Sequence, residues 1–238
     1  RRVWKASDYE PDEGVAKAHM GGALASHGGK LYWSTSHVLP FQPMAAHWET
    51  RGLPVGSGLP ALPAATHRAL AVFRADGVGE GAALEGAELL YGEAALPAWD
   101  ERSRRWQTQP TLMGPPRFGA SGFGHGGNAY CWSMQVAGNV LYVGTMDMAY
   151  IAEREAGLGF LRGNGGRMEG ADLWAFGLDS AAPAWAVDTA GLGTRGNYGV
   201  RAMADAGGGT LAIGTANPFN VDPSGGWQVL LLNATAAW

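Results

Sequence analysis

The chain has 238 residues, of which 46% are hydrophobic and 38 are glycine, and its formal net charge at neutral pH is −4. This length can bury a substantial core in one large domain or two small ones, and so much glycine without a Gly-x-y period excludes collagen and favours tight turns between short strands. The acidic balance leaves no basic surface for nucleic acid, and no apolar run reaches the ~18 residues of a membrane span.

The N-terminal residue, the single cysteine and a sequon near the C-terminal end bear on the cellular location of the protein. The chain begins with Arg1 rather than Met and has no signal-peptide pattern, so we expect it to be processed or to be part of something longer. Cys131 stands alone in an apolar segment, which excludes an intrachain disulfide and favours a buried structural thiol. Asn233-Ala234-Thr235 is a glycosylation sequon, and we expect an extracellular or secreted protein with a glycan on Asn233.

The first predicted unit starts with a hairpin. Residues 20–26 and 30–36 have strand-like apolar patterns and are separated by Gly28-Gly29, which is typical of a tight turn. Val72-Phe73 is related to the third strand of later units, and so is Val3-Trp4.

Long connections follow this hairpin. The proline-rich stretches 40–63 and 92–121 predict surface excursions. Residues 87–91 are a possible strand, which would belong to a degenerate unit if 78–121 contains one; missing units could also lie outside this sequence or come from another copy. Residues 147–160 are the best candidate for a short helix. No stretch predicts an amphipathic helix longer than two turns.

Two further units repeat the pattern of the first. Each predicts a hairpin followed by a third strand, and segment 184–187 and Trp238 are candidate fourth or linking strands. The hairpins are predicted at 129–137 with 139–146 and at 198–205 with 209–216, and the third strands at 171–176 and 227–233.

The clearest feature of the chain is an internal repeat. The segments that begin at Gly122 and Gly191 both read G-x-G-x-x-G-N, then a strand with a central Met, a glycine turn and an apolar strand that ends in Gly-Thr. Met134 and Met203 lie 69 residues apart. A period of this length predicts an array of similar units that pack face to face. We therefore divide the chain, as a single domain, into units of about 20–121, 122–190 and 191–238.

Units of three to four strands predict the blades of a β-propeller. The pattern G-x-L-Y-V-G-T, a long loop, G-x-x-V-W and a later Trp resembles the kelch-type blade. The chain is also similar to bacterial and algal propeller proteins of unassigned function that carry N-Y-G-V-R-x-M, L-x-x-G-T-A-N-P-F and G-G-W, here residues 197–203, 211–219 and 225–227. Gly-Thr replaces the double glycine of kelch blades, so no kelch binding residue is carried over. The resemblance implies an all-β propeller of four-stranded blades with long loops, which this chain supplies whole or in part.

The repeat also aligns candidate ligand-binding residues. His37, Asp147 and Asn217 share the position just past the second strand of each unit, which in a propeller lies on one face, at the mouth of the channel. Trp132 and Arg201 share a position on the innermost strand. We predict that these five residues bind a glycan or a small anion at the channel mouth, although satisfied turns and a wet channel are the alternative. The two G-x-G-x-x-G matches precede strands rather than helices, so we assign them to turns in which Asn128 and Asn197 bond local backbone.

No catalytic or metal-binding pattern is evident. The histidines lack metal-ligand spacing, no nucleophile elbow occurs, and we expect no cofactor. The favoured function is a non-enzymatic extracellular propeller used for adhesion, matrix or filament assembly through protein or glycan contacts, with self-association. Two alternatives stay open: a secreted polysaccharide hydrolase or lyase with its site at the channel mouth, and an intracellular kelch-like scaffold.

Overall fold

Antiparallel strands dominate the molecule, which confirms the all-β class. The computed structural model describes residues 1–37, 41–51, 62–79, 83–147, 149, 170–217 and 225–233. The strands are β1 (His19–His27), β2 (Lys30–His37), β3 (Val72–Ala75), β4 (Gly77–Val78), β5 (Leu84–Glu85), β6 (Glu88–Tyr91), β7 (Ala95–Asp100), β8 (Arg105–Pro110), β9 (Asn128–Ala137), β10 (Val140–Asp147), β11 (Leu173–Phe176), β12 (Trp185–Asp188), β13 (Gly199–Gly207), β14 (Thr210–Ala216) and β15 (Val229–Asn233). The helices are α1 (Glu13–Ala18), α2 (Phe41–Arg51) and α3 (Leu62–Thr66).

Three meandering sheets form the body of the protein. The first sheet has the order β1-β2-β3-β6, the second β9-β10-β11-β12 and the third β13-β14-β15, and every neighbouring pair is antiparallel. Single bridges link consecutive sheets, Ser36 with Tyr130 and Met146 with Gly199. Over the described ranges, the sheets do not close into a barrel or a ring.

The hairpins predicted from the repeat are confirmed. The strand pairs β1–β2, β9–β10 and β13–β14 turn at the predicted glycines, and β11 and β15 follow as third strands. Gly28, Gly138 and Gly208 have φ of 56°, 59° and 61° at these turns, a conformation that glycine adopts at little cost.

Several other predictions differ from the structure. Residues 88–91 do not start a degenerate unit: they pair with β3 as the fourth strand of the first sheet. Val3-Trp4 is not in a strand, and α2 is longer than the two turns expected of any helix. Trp238 and almost all of the predicted helix 147–160 lie outside the described residues.

The sheets pack on one another through apolar cores. In β10, Leu141 and Val143 face the first sheet while Tyr142, between them, faces the third, because successive side chains point to opposite faces. All three are fully buried. Burial on both faces explains why β10 is a continuous apolar run rather than an alternating one.

The far face of the first sheet is covered by other elements. Trp33, Phe73 and Leu89 lie on this face and are buried. Trp4 and Tyr9 from the N-terminal segment pack on Phe73, with ring centroids 5.0 and 5.3 Å away. Leu84 from β5, and Leu96 and Met113 from the connection that carries the β7–β8 hairpin, complete this cover, which we call the cap.

Candidate functional site

The repeated glycine loops join each sheet to the one before it. In the second unit, Gly122 N–H donates to Leu70 C=O at 2.7 Å, and Leu70 N–H donates to Asn128 C=O at 2.8 Å. The third unit has the same pair of backbone hydrogen bonds. Gly191 N–H donates to Ala171 C=O at 3.2 Å, and Ala171 N–H donates to Asn197 C=O at 2.8 Å. The G-x-G-x-x-G segments therefore act as turns that hold neighbouring sheets together.

A buried polar network repeats behind these loops. In the second unit, Thr145 Oγ1 donates to Asn128 Oδ1 and accepts from Asp172 N–H, both at 2.8 Å. Asn128 Nδ2 donates to Gly122 C=O at 3.0 Å and to Asp172 Oδ2 at 2.7 Å. Both Asn128 and Thr145 are completely buried, so these contacts satisfy polar groups that water cannot reach.

The other two units carry versions of the same network. In the third, Asn197 Nδ2 donates to Gly191 C=O and to Gln228 Oε1, and Thr215 Oγ1 accepts from Gln228 N–H. In the first, Thr35 Oγ1 accepts from Ala71 N–H at 2.9 Å. The prediction that Asn128 and Asn197 bond local backbone is confirmed.

This network makes a stability prediction. Replacing Thr35 by the isosteric Val is expected to lower the free energy of unfolding by about 1–2 kcal/mol, because the Ala71 N–H stays buried without its acceptor. Urea unfolding followed by circular dichroism measures the loss. Thr108→Val on the exposed strand β8 is the matched control and should change little; equal losses in the two variants would contradict a role for the Thr35 contact.

Asp147, at the end of β10, is completely buried in the second unit. Its Oδ1 accepts from Ala149 N–H at 2.7 Å, and its Oδ2 lies 3.2 Å from His125 Nε2. Burial, together with the nearby charge of Asp147, raises the pKa of Asp172 to about 6, against hydrogen bonds from Asn128 and Trp174 that lower it. The second unit thus holds Asp147 against His125, and the charge of Asp147 adds to the raised pKa of Asp172.

His37 and Asn217 are buried at the matching positions of the other units. The His37 ring lies 4.8 Å from that of His19 and 6.5 Å from that of His67. Burial and these two histidines hold the pKa of His37 well below its usual range, so it is neutral. Asn217 Nδ2 donates to Asn197 Oδ1 at 3.2 Å. The structure therefore places the three aligned polar residues inside their units, and their prediction as ligand-binding groups remains a prediction.

Trp132 and Arg201 are brought together on accessible surface. The Arg201 guanidinium lies over the Trp132 ring, 4.6 Å from its centroid, which is a cation–π contact. Trp132 is partly exposed and Arg201 is exposed. The first strands β9 and β13 of adjacent sheets run side by side here, and that packing produces the contact.

Two tyrosines extend this surface. Tyr130 and Tyr198 have ring centroids 6.2 and 6.0 Å from Trp132, and both are partly exposed. A Cβ on Gly199 would come within 2.2 Å of the Trp132 ring, so only glycine lets the indole lie against β13. We call Tyr130, Trp132, Tyr198 and Arg201 the aromatic platform.

A buried ion pair was missed by the sequence analysis. Arg68 donates from Nε and Nη2 to the Glu10 carboxylate at 2.7 and 3.0 Å, and His19 Nε2 lies 3.5 Å from the same group. Glu10 and Arg68 are 58 positions apart and form no motif, so no pattern could have found them. Arg68 and His67 also line a cavity of about 290 Å³ with Glu93 and Ser121.

Metal, thiol and membrane features add little to the site. Among the residues with described positions, no group of three or more His, Cys, Asp or Glu could hold a metal ion. Burial raises the pKa of Cys131 to about 11, so the thiol is protonated and inert, as predicted. No helix in the described part of the chain is long and apolar enough to cross a membrane.

No model of a known protein family matches this chain, and neither does any curated protein.

Proposed function

We propose that this chain is a non-enzymatic, extracellular propeller-type module that binds an acidic glycan through its aromatic platform. The propeller reading is supported by three meandering sheets packed face to face, with their first strands adjacent around one side. In propellers the first strands of the blades line the central channel. Of the platform residues, Tyr130, Trp132 and Arg201 lie on two of those strands, β9 and β13, and Tyr198 directly precedes β13.

The observation that carries this proposal is the contact between Trp132 and Arg201. Aromatic faces stack on the apolar faces of sugar rings, and a guanidinium fixed beside them pairs with a carboxylate or sulfate group. Tyr130, Trp132 and Arg201 are held by the strands β9 and β13, and the backbone of Tyr198, just before β13, is bonded to Ala216 C=O. Such fixed positions lower the entropy cost of binding. In this proposal His37, Asp147 and Asn217, which are buried at the strand ends, do not contact the glycan themselves and support the fold of their units.

Calorimetry with purified oligosaccharides tests the proposal. We expect the chain to bind a uronic-acid oligosaccharide more tightly than a neutral one of equal length. Trp132→Ala and Arg201→Ala should each weaken that binding by at least about tenfold, because each removes one of two cooperating contacts. Arg102→Ala is the matched control, since Arg102 is exposed on the turn between β7 and β8. Binding that is equally lost in the control, or absent for every sugar, would contradict a glycan role.

A secreted polysaccharide hydrolase or lyase is the second candidate. It is favoured by the pKa of Asp172, raised to about 6 by burial, with Asp147 and His125 nearby. A buried carboxyl group whose pKa is raised in this way can act as a general acid. Release of reducing ends from a polysaccharide, abolished in Asp172→Asn, would favour this function over binding alone.

The extracellular location rests on the sequon. Asn233 is exposed at the end of β15, where a glycan would meet solvent. Mass spectrometry of protein from its own source measures whether Asn233 carries a sugar, and an unmodified asparagine there would favour the intracellular scaffold.

A further inference from the structure

Three histidines from separate parts of the chain meet inside the first unit. His19 on β1 and His37 on β2 are directly paired across the hairpin, and their ring centroids lie 4.8 Å apart. The His67 ring, from the segment after α3, lies 6.5 Å from that of His37. His37 is 1% exposed, and the side chain of His19 is 2% exposed. We call these three residues the histidine cluster.

His37, at the centre of the cluster, has no group beside it that would stabilise a positive charge. Within the part of the chain that the structure describes, neither of its ring nitrogens has a hydrogen-bond partner. A neutral imidazole can stay buried in this way at a moderate cost, whereas an imidazolium would be a buried charge without a counter-ion. Burial, together with the positive charges nearby, accordingly holds the pKa of His37 well below its usual range.

The charged groups that face the cluster also oppose a further proton. Those around His37 are His19, His67 and Arg68. The carboxylate of Glu10 lies 3.5 Å from His19 Nε2, but it is already paired with Arg68. The pKa of Glu10, lowered to about 2, keeps this carboxylate ionised in mild acid. Protons taken up by the cluster would therefore add positive charge where the anion is already neutralised.

The histidine cluster lies where the first two sheets are joined. His67 Nε2 is 2.8 Å from Gly126 C=O in the glycine loop of the second unit. Three residues further on, Leu70 exchanges backbone hydrogen bonds with Gly122 and Asn128 of the same loop, at 2.7 and 2.8 Å. We call these contacts the first joint. Solvation of His67 requires its separation from Gly126, and the short segment that would move also carries Leu70.

The second joint, between the second and third sheets, has the same backbone contacts and different side chains. Ala171 exchanges backbone hydrogen bonds with Gly191 and Asn197. Asp147 stands at the position that matches His37, and its carboxylate lies 3.2 Å from an imidazole nitrogen. A proton taken up by that imidazole is paired with a negative charge, so mild acid should leave the second joint closed.

We propose that the histidine cluster is an acid-sensitive lock, which holds the first joint closed near neutral pH and opens it when the histidines take up protons. The lock is a property of the fold and does not depend on glycan binding. Clustered histidines are the side chains that respond to pH in this range.

The direction of the effect follows from His67. Burial lowers the pKa of His67 to about 4, against 6.5 for a solvated histidine. The open form therefore binds more protons between these two values. The closed joint keeps its full stability above about pH 6.5 and loses it as the pH falls toward 4.

Amide hydrogen exchange of the whole chain at pH 7 and pH 5, followed by mass spectrometry, tests the lock. Protection is expressed relative to the unstructured chain at the same pH, which removes the intrinsic pH dependence of exchange. Peptides that cover 68–73 and 122–130 should lose at least about 30-fold in protection at pH 5, the factor that the two pKa values of His67 give. Peptides that cover 170–175 and 191–199, in the second joint, should keep theirs.

A double variant tests whether the cluster is responsible. His37→Asn introduces the residue type that the third unit has at this position, and His67→Gln keeps a side-chain donor for the glycine loop without titrating. Together they should remove most of the loss of protection at pH 5. His27→Gln is the matched control, because His27 is buried at the other end of β1 and its Nε2 lies 3.1 Å from Gly177 C=O. This control should leave the loss unchanged.

Any of four results refutes the lock. These are unchanged protection of the first joint at pH 5, an equal loss at both joints, a loss of the same size in the double variant, or removal of the loss by His27→Gln. The first two results are obtained with the unaltered protein, so they test the lock even where the double variant does not fold. Circular dichroism at pH 7 establishes whether each variant is folded.

Discussion

Replacing Glu10 by Gln is expected to lower the free energy of unfolding by about 3–5 kcal/mol, the largest effect of any substitution proposed for this protein. The Glu10 side chain has no exposed surface and that of Arg68 is 3% exposed. Removing the carboxylate leaves the guanidinium buried without its counter-charge. Arg68 also donates to the Ala65 and Pro97 carbonyls, so it holds α3 and β7 together.

The same ion pair predicts a pH dependence. Burial alone would raise the pKa of Glu10, but hydrogen bonds from His19 and Arg68 outweigh it and lower the pKa to about 2. The unfolded chain therefore binds more protons below pH 4.5, and this contribution to stability is lost as the pH falls from about 4.5 to about 2. Glu10→Gln should remove that part of the pH profile.

Urea unfolding at several pH values measures both effects. Glu13→Gln is the matched control, because its ion pair with Lys17 is exposed on α1 and pairs of that kind contribute little. A Glu10→Gln variant as stable as the control would show that the buried pair does not stabilise the fold.

Asp172→Asn is expected to stabilise the protein above about pH 6. Burial raises the pKa of Asp172 to about 6, whereas the same group in the unfolded chain titrates near 3.8. The folded state therefore binds more protons between these values, and stability falls as the pH rises through this window, by up to about 3 kcal/mol. An amide never ionises, so the variant avoids this loss.

The structure indicates that an amide fits at position 172. Asp172 Oδ2 accepts from Asn128 Nδ2 and Trp174 Nε1, and an amide oxygen accepts equally well. At the matching position of the third sheet, the amide oxygen of Gln228 accepts a hydrogen bond from Asn197 Nδ2. Thermal unfolding near neutral pH and near pH 4 measures the gain, which should be present only at the higher pH. Asp179→Asn, an exposed carboxylate on the turn after β11, should show no such difference; an equal gain there, or a loss in Asp172→Asn at neutral pH, would contradict the explanation.

Comparison of particular elements shows why some features were predictable from the sequence. The hairpins β9–β10 and β13–β14 were predictable because strand alternation and turn glycines are local signals, repeated twice. The strand at 88–91 was recognised as a possible strand, but its place as the fourth strand of the first sheet was not, because that place depends on a pairing with β3 across β4 and β5. The helix α2 was missed in a stretch whose prolines suggested a loop.

The candidate site divides in the same way. Alignment of the repeats identified Trp132 and Arg201 as equivalent, but their contact depends on how two sheets pack and on the space left by Gly199. Alignment also identified His37, Asp147 and Asn217, but it could not tell buried positions from accessible ones.

By itself the sequence determined the all-β class, the three hairpins and the asparagines and threonines that fasten them, because short-range periodicity and repetition carry that information. Only the tertiary structure decided which faces are covered, where the Glu10–Arg68 pair lies and which aromatic side chains meet Arg201. These depend on contacts between residues far apart in the chain, and the free energy of burial that selects them is set by the packing of whole sheets.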